Sequence, residues 1–238
     1  MKTRMPANLL RCAAAAALLF LNGCGARPGV SRTTAAQPAT TAAQQEDRAP
    51  RPSSGSPFLD KLVEAAIERT SQQVRYDPAY FKIEYPGGDV PPEVGVCTDE
   101  VIRSYRKVGV DLQKEVHEDM ARNFQLYPRK WGLKKTDTNI DHRRVPNLMV
   151  FFERQGAAVS VTDDARDYKP GDVVTWDLGN QLTHIGIVVN VPSASDEQRL
   201  MIVHNIGAGP RMEDVLFNWK ITGHYRYTGP KKTEGGRR

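Results

Sequence analysis

The stretch Pro170-Gly171-Asp172-Val173-Val174-Thr175-Trp176 marks the place where the sequence changes from helical to strand patterns. A Pro-Gly-Asp turn followed by β-branched and aromatic residues predicts that a strand begins at Val173. Three further strand-like segments follow, so the predicted strands are residues 173–178, 184–191, 200–206 and 221–227. The chain before this turn has helical spacing instead. Helices first and strands second favour an α+β domain with an antiparallel sheet.

Upstream of that turn, apolar residues recur at helical intervals in four segments. They are residues 58–70, a helix that starts near Cys97 and ends at Gly109, residues 111–124 with Asp111 as the capping residue, and a short helix opened by Pro146. In the second helix Val101, Ile102 and Tyr105 are predicted to face inward, together with Val108. Residues 76–92 contain four prolines and predict an irregular loop that runs toward Cys97.

The ends of the chain differ from the centre. Residues 1–23 combine basic residues with an apolar run that is too short to span a bilayer, as in a signal peptide. Leu21-Asn22-Gly23-Cys24 resembles the lipobox of bacterial lipoproteins, which implies lipidation of Cys24; cleavage near Ala26 is the alternative. Residues 24–57 predict a disordered tether, 58–228 a single domain and 229–238 a basic flexible tail.

These ends predict an exported protein at the periplasmic face, attached to the membrane through its N-terminus. Gly25 stands where many Gram-negative lipoproteins retained in the inner membrane have aspartate, which favours the outer membrane. The formal net charge of +5 lies partly in the leader and the tail. Because there is also no basic-aromatic stripe, nucleic acid is not expected as a partner.

Cys97 is the cysteine that remains in the folded, exported domain, so it has no intramolecular disulfide partner. Its position at a helix start is favourable for a nucleophile, whereas a small buried hydrophobic residue is the alternative interpretation. Asp99 and Glu100 follow in the first turn. Their negative charge favours the helix but raises the pKa of the thiol, so activation is expected to depend on a nearby base.

Two histidines lie in consecutive predicted strands. If the hairpin is centred near Ala194, Val188 faces Leu200, Gly186 faces Ile202, and His184 faces His204 on one side of the sheet. Opposed residues are close enough for hydrogen bonding between the two imidazoles. Cys97, His184 and His204 can then serve as nucleophile, base and orienting residue, and the first amides of the helix can form an oxyanion hole.

The order of these motifs resembles the NlpC family of bacterial cell-wall peptidases, which have a papain-like fold. The matching stretches are Cys97 at a helix start, Pro170-Gly171-Asp172 before a strand, His184-Ile185-Gly186-Ile187, and Val203-His204. Cys97-Thr98-Asp99, residues 116–120 and 141–148, and His204-Asn205-Ile206-Gly207 also resemble a narrower family, domain of unknown function 1287. The chain departs from typical NlpC enzymes in having valine before the cysteine and threonine after it.

Several other side chains are candidates for the site. A guanidinium group binds carboxylates as a fork, so Arg143 and Arg144 are predicted to contact substrate, with Tyr85 lining the cleft; solvated or structural roles are the alternatives. His117, Glu118, Asp119 and His142 do not match a known zinc spacing, and neither a metal nor an organic cofactor is expected. Trp176 is predicted to be a core residue and His224 a structural one.

The resemblance and the residues together predict a cysteine peptidase or amidase, which uses Cys97 to cut amide bonds in peptidoglycan and needs no cofactor. Two other classes remain open. One is a non-catalytic domain on the same fold that binds cell-wall fragments or a protein. The other is an acyl transferase that uses the same three residues.

Overall fold

The computed structural model describes residues 51–231 and has an α+β architecture of helices packed on an antiparallel sheet. Four α-helices are present in this part: α1 (Pro57–Arg69), α2 (Cys97–Lys107), α3 (Leu112–Arg122) and α4 (Val145–Arg154). The strands are β1 (Arg75–Tyr76), β2 (Val94–Gly95), β3 (Val173–Gly179), β4 (Leu182–Pro192), β5 (Leu200–His204), β6 (Arg211–Glu213) and β7 (Lys220–Tyr225). The α+β prediction is therefore confirmed.

The main sheet has five strands in the order β6-β5-β4-β3-β7, and all neighbouring pairs are antiparallel. Strands β1 and β2 form a separate parallel pair. Strand β4 lies at the centre, where a near-continuous run of buried apolar residues is expected because both of its faces are covered. The centre of the sheet is thus fixed between two layers of side chains.

Each face of the sheet has its own core. Ile185, Ile187 and Val203 belong to the first core, which α1, α2 and α4 cover with the buried side chains Leu62, Val101, Ile102, Tyr105, Phe151 and Phe152. Val188 and Ile202 belong to the second core, together with Trp176, Leu200 and Leu216. Since successive strand residues point to opposite faces, this division follows from the sequence of β4 and β5.

The predicted helices are confirmed, with small shifts at their ends. α2 begins at Cys97 with Val101, Ile102 and Tyr105 buried, and Gly109 beyond its end has φ +86°. Such a left-handed conformation favours glycine after a helix. The carboxylate of Asp111 accepts a hydrogen bond from the backbone N–H of Gln113 at the start of α3, as its predicted capping role requires.

The four predicted strands are also present, but their register was predicted wrongly. Ile187 pairs with Val203 and Val188 with Ile202, which places His204 opposite Gly186 and not opposite His184. The pair Pro192 and Leu200 centres the turn at Asp196 and not at Ala194, and a shift in register between Val188 and Pro192 takes back only part of this difference. The sequence also gave no indication of β6 or of the short strands β1 and β2.

The predicted signal peptide 1–23, the predicted lipidation site Cys24 and the part of the predicted tail beyond residue 231 lie outside the described residues. In the last part of the segment predicted as a tether, the N–H and Oγ of Ser54 donate to Asp60 at distances of 2.9 and 2.8 Å. The chain is thus tied to the first turn of α1. A search of residues 51–231 found no helix with the length and apolar character that crossing a bilayer requires.

Candidate functional site

Cys97 lies at the first turn of α2, beside a cavity of about 190 Å³. We call this cavity the Cys97 pocket, and its lining residues are Tyr76, Pro78, Val96, Cys97, Thr98, Trp131, Ile140, Arg143, Arg144, Val145, Pro146 and Thr183. The thiol residue is 5% exposed and belongs to the helix-covered core. Cys97 is therefore both a core residue, as the alternative interpretation expected, and the wall of a cavity.

The Cys97 thiol is strongly held in its neutral form. Burial raises its pKa to about 12, and the negative charge of Asp99 acts in the same direction. The backbone N–H groups of Ile185, Thr98 and Cys97 itself favour the thiolate but do not outweigh burial. The resting site thus contains a thiol and not a thiolate, so a reaction at sulfur needs a base that removes its proton.

Asp99 and Arg143 form a buried ion pair next to the thiol. The Nε and Nη2 atoms of Arg143 donate to the two carboxylate oxygens at 2.8 and 3.0 Å, and its Nη1 donates to the carbonyl of Ala79 at 3.0 Å. Asp99 also accepts the N–H of Val96 at 2.7 Å. The guanidinium predicted to hold a substrate carboxylate is therefore already engaged by a carboxylate of the protein.

Arg144 is differently placed, although it also lines the Cys97 pocket. Its guanidinium carbon lies 4.1 Å from the ring centre of Trp131, a cation–π distance, and its buried Nη1 has no hydrogen-bond partner among residues 51–231. Burial lowers its pKa. Of the two arginines, Arg144 is the one with an unused donor.

The third predicted substrate contact, Tyr85, does not line this pocket. Its ring packs edge-on against His117, with 5.1 Å between ring centres. The tyrosine at the pocket is Tyr76, the last residue of β1, and the exposed ring of Trp131 completes the aromatic wall. Tyr76, at the start of the predicted loop, and not Tyr85 is therefore the tyrosine beside Cys97.

His184 and His204 are joined as predicted. Nε2 of His184 and Nδ1 of His204 are 2.7 Å apart, and the ring centres are 5.0 Å apart at an interplanar angle of 73°. Gly186 makes this approach possible, because a Cβ atom at that position would lie 2.7 Å from Ile202 Cγ2 and 3.1 Å from His204 Cβ. The two imidazoles therefore meet although His204 is not directly opposite His184, because Gly186 in β4 has no side chain between them.

Both histidines are held neutral by burial. Desolvation lowers the pKa of His184 to about 3, and His204 acts in the same direction. Burial also lowers the pKa of His204, while the neighbouring carboxylate of Glu213 opposes the shift. The rings of Trp176 and Trp219 lie 5.7 and 5.9 Å from the His184 ring and form the apolar wall that excludes water.

Cys97 and the two histidines pack against different sets of core side chains. Cys97 packs in the first core with Ile185 and Val203, the strand neighbours of the histidines, whereas the imidazoles pack against aromatic rings of the second core. Among residues 51–231, the side-chain hydrogen bonds of the histidines run to each other and to Glu213. The predicted base and the predicted orienting residue are thus hydrogen-bonded to each other. The thiol lies near strands β4 and β5 but has no hydrogen bond to either imidazole in this part of the chain.

Glu213 is the residue of this cluster that sequence reasoning missed. It ends β6, and its Oε2 lies 2.9 Å from Nε2 of His204. A lone Arg-Met-Glu segment has no strand periodicity, so nothing in the sequence placed it beside β5. The only available signal was that a buried histidine needs a partner for its second nitrogen.

Three of the remaining candidates have structural partners. His117 Nδ1 lies 2.9 Å from Asp141 Oδ2, Glu118 pairs with Lys114 at 3.1 Å, and Asp119 pairs with Arg154 at 2.6 Å. In the described part of the chain, no group of three or more histidine, cysteine or acidic residues is arranged to hold a metal ion. His142 is buried, which lowers its pKa to about 3.

Two of the sequence predictions about individual residues are confirmed. Trp176 is fully buried in the second core, and its indole N–H donates to the carbonyl of Leu216 at 2.9 Å. Nε2 of His224 lies 2.7 Å from Asp172, and its Nδ1 lies 3.0 Å from the carbonyl of Ser160. Both residues therefore stabilise the sheet.

Comparison with known proteins gives a family for this arrangement. The family described as "Domain of unknown function (DUF1287)" matches residues 63–227, which include α2, all five strands of the main sheet and both histidines. The chain belongs to this family. It is also 51% identical over 166 residues to "Uncharacterized protein YijF" of Escherichia coli (strain K12), covering 70% of this chain and 80% of that protein. The narrower resemblance noted in the sequence is therefore confirmed for this DUF1287 chain.

Proposed function

We propose that this domain is a cysteine-dependent hydrolase that cuts amide bonds in peptidoglycan stem peptides, on a papain-like fold of the NlpC type. The observation that supports it best is the bond between His184 Nε2 and His204 Nδ1 beside the helix that begins at Cys97. One imidazole orients another on a strand next to a thiol at a helix N-terminus. Nucleophilic catalysis by cysteine requires these three elements.

In the proposed reaction, the Cys97 sulfur attacks the carbonyl carbon of an amide while His184 removes the thiol proton. Nδ1 of His184 is the nitrogen left for this step, because Nε2 is bonded to His204. The proton then passes to the leaving amine as the C–N bond breaks, and a thioester remains. Water, activated by the same nitrogen, adds to the thioester, and the carbon–sulfur bond breaks to release a carboxylic acid and restore the thiol.

This mechanism places two demands on the protein. The thiol pKa of about 12 requires that proton transfer accompany the attack. The Cys97 sulfur, which lies against the backbone N–H of Ile185, must also come within reach of the His184 ring, since no hydrogen bond joins the two side chains among residues 51–231. The N–H groups of Cys97 and Thr98, which have no partner in the preceding turn of the helix, are the donors proposed for the oxyanion.

The Cys97 pocket is the proposed place for the scissile peptide. Arg144 has an unused buried donor on its wall, and Tyr76 and Trp131 supply flat apolar surface. A peptide with a free carboxylate, such as a stem peptide, matches this combination of a guanidinium and aromatic rings. Export, anchoring through Cys24 and location at the outer membrane remain part of the proposal on the strength of the sequence.

A second candidate is a non-catalytic domain that binds cell-wall peptides in the same pocket. The neutral buried thiol and the absence of a hydrogen bond between Cys97 and either imidazole within residues 51–231 favour it. In that case Cys97 acts only as a core residue, and the imidazole pair stabilises the sheet.

Purified peptidoglycan sacculi, with the released products analysed by mass spectrometry, test the two candidates. Wild type is expected to release peptides, and Cys97→Ala and His184→Ala are expected to lose release at least about 100-fold, because each removes a reacting group. His117→Ala is the matched control, since His117 lies on α3 and its ring pairs with Asp141 and not with His184 or His204. Sedimentation with sacculi measures binding separately.

No release by wild type, or release by both variants at the wild-type rate, would rule out the hydrolase. Retained sedimentation without release would then support the binding domain. Products joined to an added primary amine would instead support an acyl transferase.

A further inference from the structure

The hydrogen bonds of the histidine pair continue beyond His204 to a third side chain, that of Glu213. Glu213 Oε2 lies 2.9 Å from His204 Nε2, and His204 Nδ1 lies 2.7 Å from His184 Nε2, so three side chains form one hydrogen-bonded chain. The side chain of His204 is 1% exposed, whereas that of Glu213 is 42% exposed. This hydrogen-bonded row of side chains thus begins at the protein surface with Glu213 and ends in the interior at His184.

Each imidazole of this hydrogen-bonded row has only one ring proton. Burial lowers the pKa of both imidazoles, so each ring is neutral near pH 7 and has a single N–H. A pair of neutral imidazoles can share its hydrogen bond in two ways, with either ring as the donor. Which arrangement is adopted decides whether His184 Nδ1 has a proton or a lone pair.

Glu213 removes this ambiguity. An ionised carboxylate only accepts hydrogen bonds, so His204 must place its single proton on Nε2. Its Nδ1 is then an acceptor, and His184 must donate from Nε2. The Nδ1 atom of His184 is consequently left with a lone pair.

We propose that Glu213 is a positioning residue that fixes the tautomers of the histidine pair, so that His184 presents an unprotonated Nδ1. The assignment concerns the protons alone and does not depend on hydrolysis. The use of that nitrogen as a base does rest on the proposed function. In the opposite tautomer His184 Nδ1 would bear a proton and could not accept one from Cys97.

The tautomers can be measured directly. Protein with ¹⁵N-labelled histidine is studied by long-range ¹H–¹⁵N NMR near pH 7, which distinguishes protonated from unprotonated ring nitrogens. Wild type is expected to have an unprotonated Nδ1 on His184. In Glu213→Ala the His184 Nδ1 signal is expected to move toward the protonated position, because the other tautomer becomes populated.

Glu93→Ala provides the matched control. Glu93 lines the same open groove as Glu213, together with Arg75 and Arg211, and its side chain is not hydrogen-bonded to either histidine in the described residues. It removes an equal charge from the same surface, so it separates a general electrostatic effect from the loss of the acceptor. Its histidine signals are expected to match those of wild type.

The outcomes separate this inference from the proposed function. A protonated His184 Nδ1 in wild type, or unchanged signals in Glu213→Ala, would overturn the role of Glu213 whatever the activity. A tautomer change in Glu213→Ala alone supports it, even if sacculi release no product. If wild type does release product, Glu213→Ala is expected to be roughly 10- to 100-fold slower, the range known for partners that orient histidine ligands.

Discussion

The two sides of the main sheet hold the two halves of the candidate site in contrasting ways. On the helix-covered side, Cys97 packs in the first core, and the neighbouring charges of Asp99 and Arg143 neutralise each other. On the other side, His184 and His204 are surrounded by tryptophans and are connected to the surface through Glu213. The cysteine half holds a thiol between an apolar core and the Cys97 pocket, and the histidine half contains a hydrogen-bonded chain of side chains that reaches solvent.

This difference means that a nucleophile and a base can be stabilised by separate packing. Burial favours the neutral form of both, which raises the pKa of the thiol and lowers that of the imidazoles. The two halves share strands β4 and β5, where His184 and Ile185, and likewise Val203 and His204, point to opposite faces. Changes on one side are therefore expected to leave the other side largely intact.

The largest expected effect is on the histidine side. Trp176→Ala removes the largest fully buried side chain and leaves the carbonyl of Leu216 without its donor, so the free energy of unfolding should fall by about 3 to 5 kcal/mol. Urea denaturation measures the loss. Trp131→Ala is the matched control, because that ring is 56% exposed and its removal should cost less than about 1 kcal/mol. Equal losses in both variants would contradict the placement of Trp176 in the core.

The corresponding change on the cysteine side is Arg143→Met, which leaves the buried carboxylate of Asp99 without its partner. We expect a loss of about 3 kcal/mol in the free energy of unfolding, and the double variant Asp99→Leu with Arg143→Met should recover part of it. Histidine NMR signals should stay at their wild-type positions. If those signals move, the two sides are coupled and the comparison fails.

The smallest expected effect is a difference in pH dependence. The folded pKa of His184 is lowered, so its contribution to stability is present above pH 6.5 and is lost as the pH falls toward 3. The folded pKa of Cys97 is raised, so its contribution is present below pH 9 and is lost as the pH rises toward 12. The free energy of unfolding is thus expected to fall at acid pH because of His184 and at alkaline pH because of Cys97.

Denaturation at several pH values checks this prediction. From pH 6.5 to 5, wild type should lose about 2 kcal/mol more than His184→Phe, since one pKa unit corresponds to about 1.4 kcal/mol. Cys97→Ala should weaken only the alkaline loss. An acid loss that is unchanged in His184→Phe would show that the imidazole is not the buried neutral group described here.

Periodicity alone predicted much of the fold. The four helices and the four long strands follow from local apolar spacing, which is strong in segments such as residues 58–70 and 184–191. The common face of His184 and His204 also follows from alternation. The register did not, because the centre of the long turn and the irregularity between Val188 and Pro192 depend on how two strands meet and not on the pattern of either one.

The candidate site was predicted less completely, and the missing parts are long-range contacts. Arg143 was expected to bind substrate because its buried partner, Asp99, lies 44 residues earlier in the chain. Glu213 escaped notice because β6 is too short to have a pattern. Ion pairs and edge strands of this kind are fixed by tertiary packing, which a single sequence does not display.

The place of Glu213 on the sheet has a further consequence. Strand β6 is an outer strand of the five-stranded sheet, only three residues long, with Arg211 at one end and Glu213 at the other. Unpaired backbone groups on an outer strand invite another chain to add a strand, and short length and charged side chains discourage this. The residue that orients a histidine therefore also helps to keep the molecules from associating edge to edge.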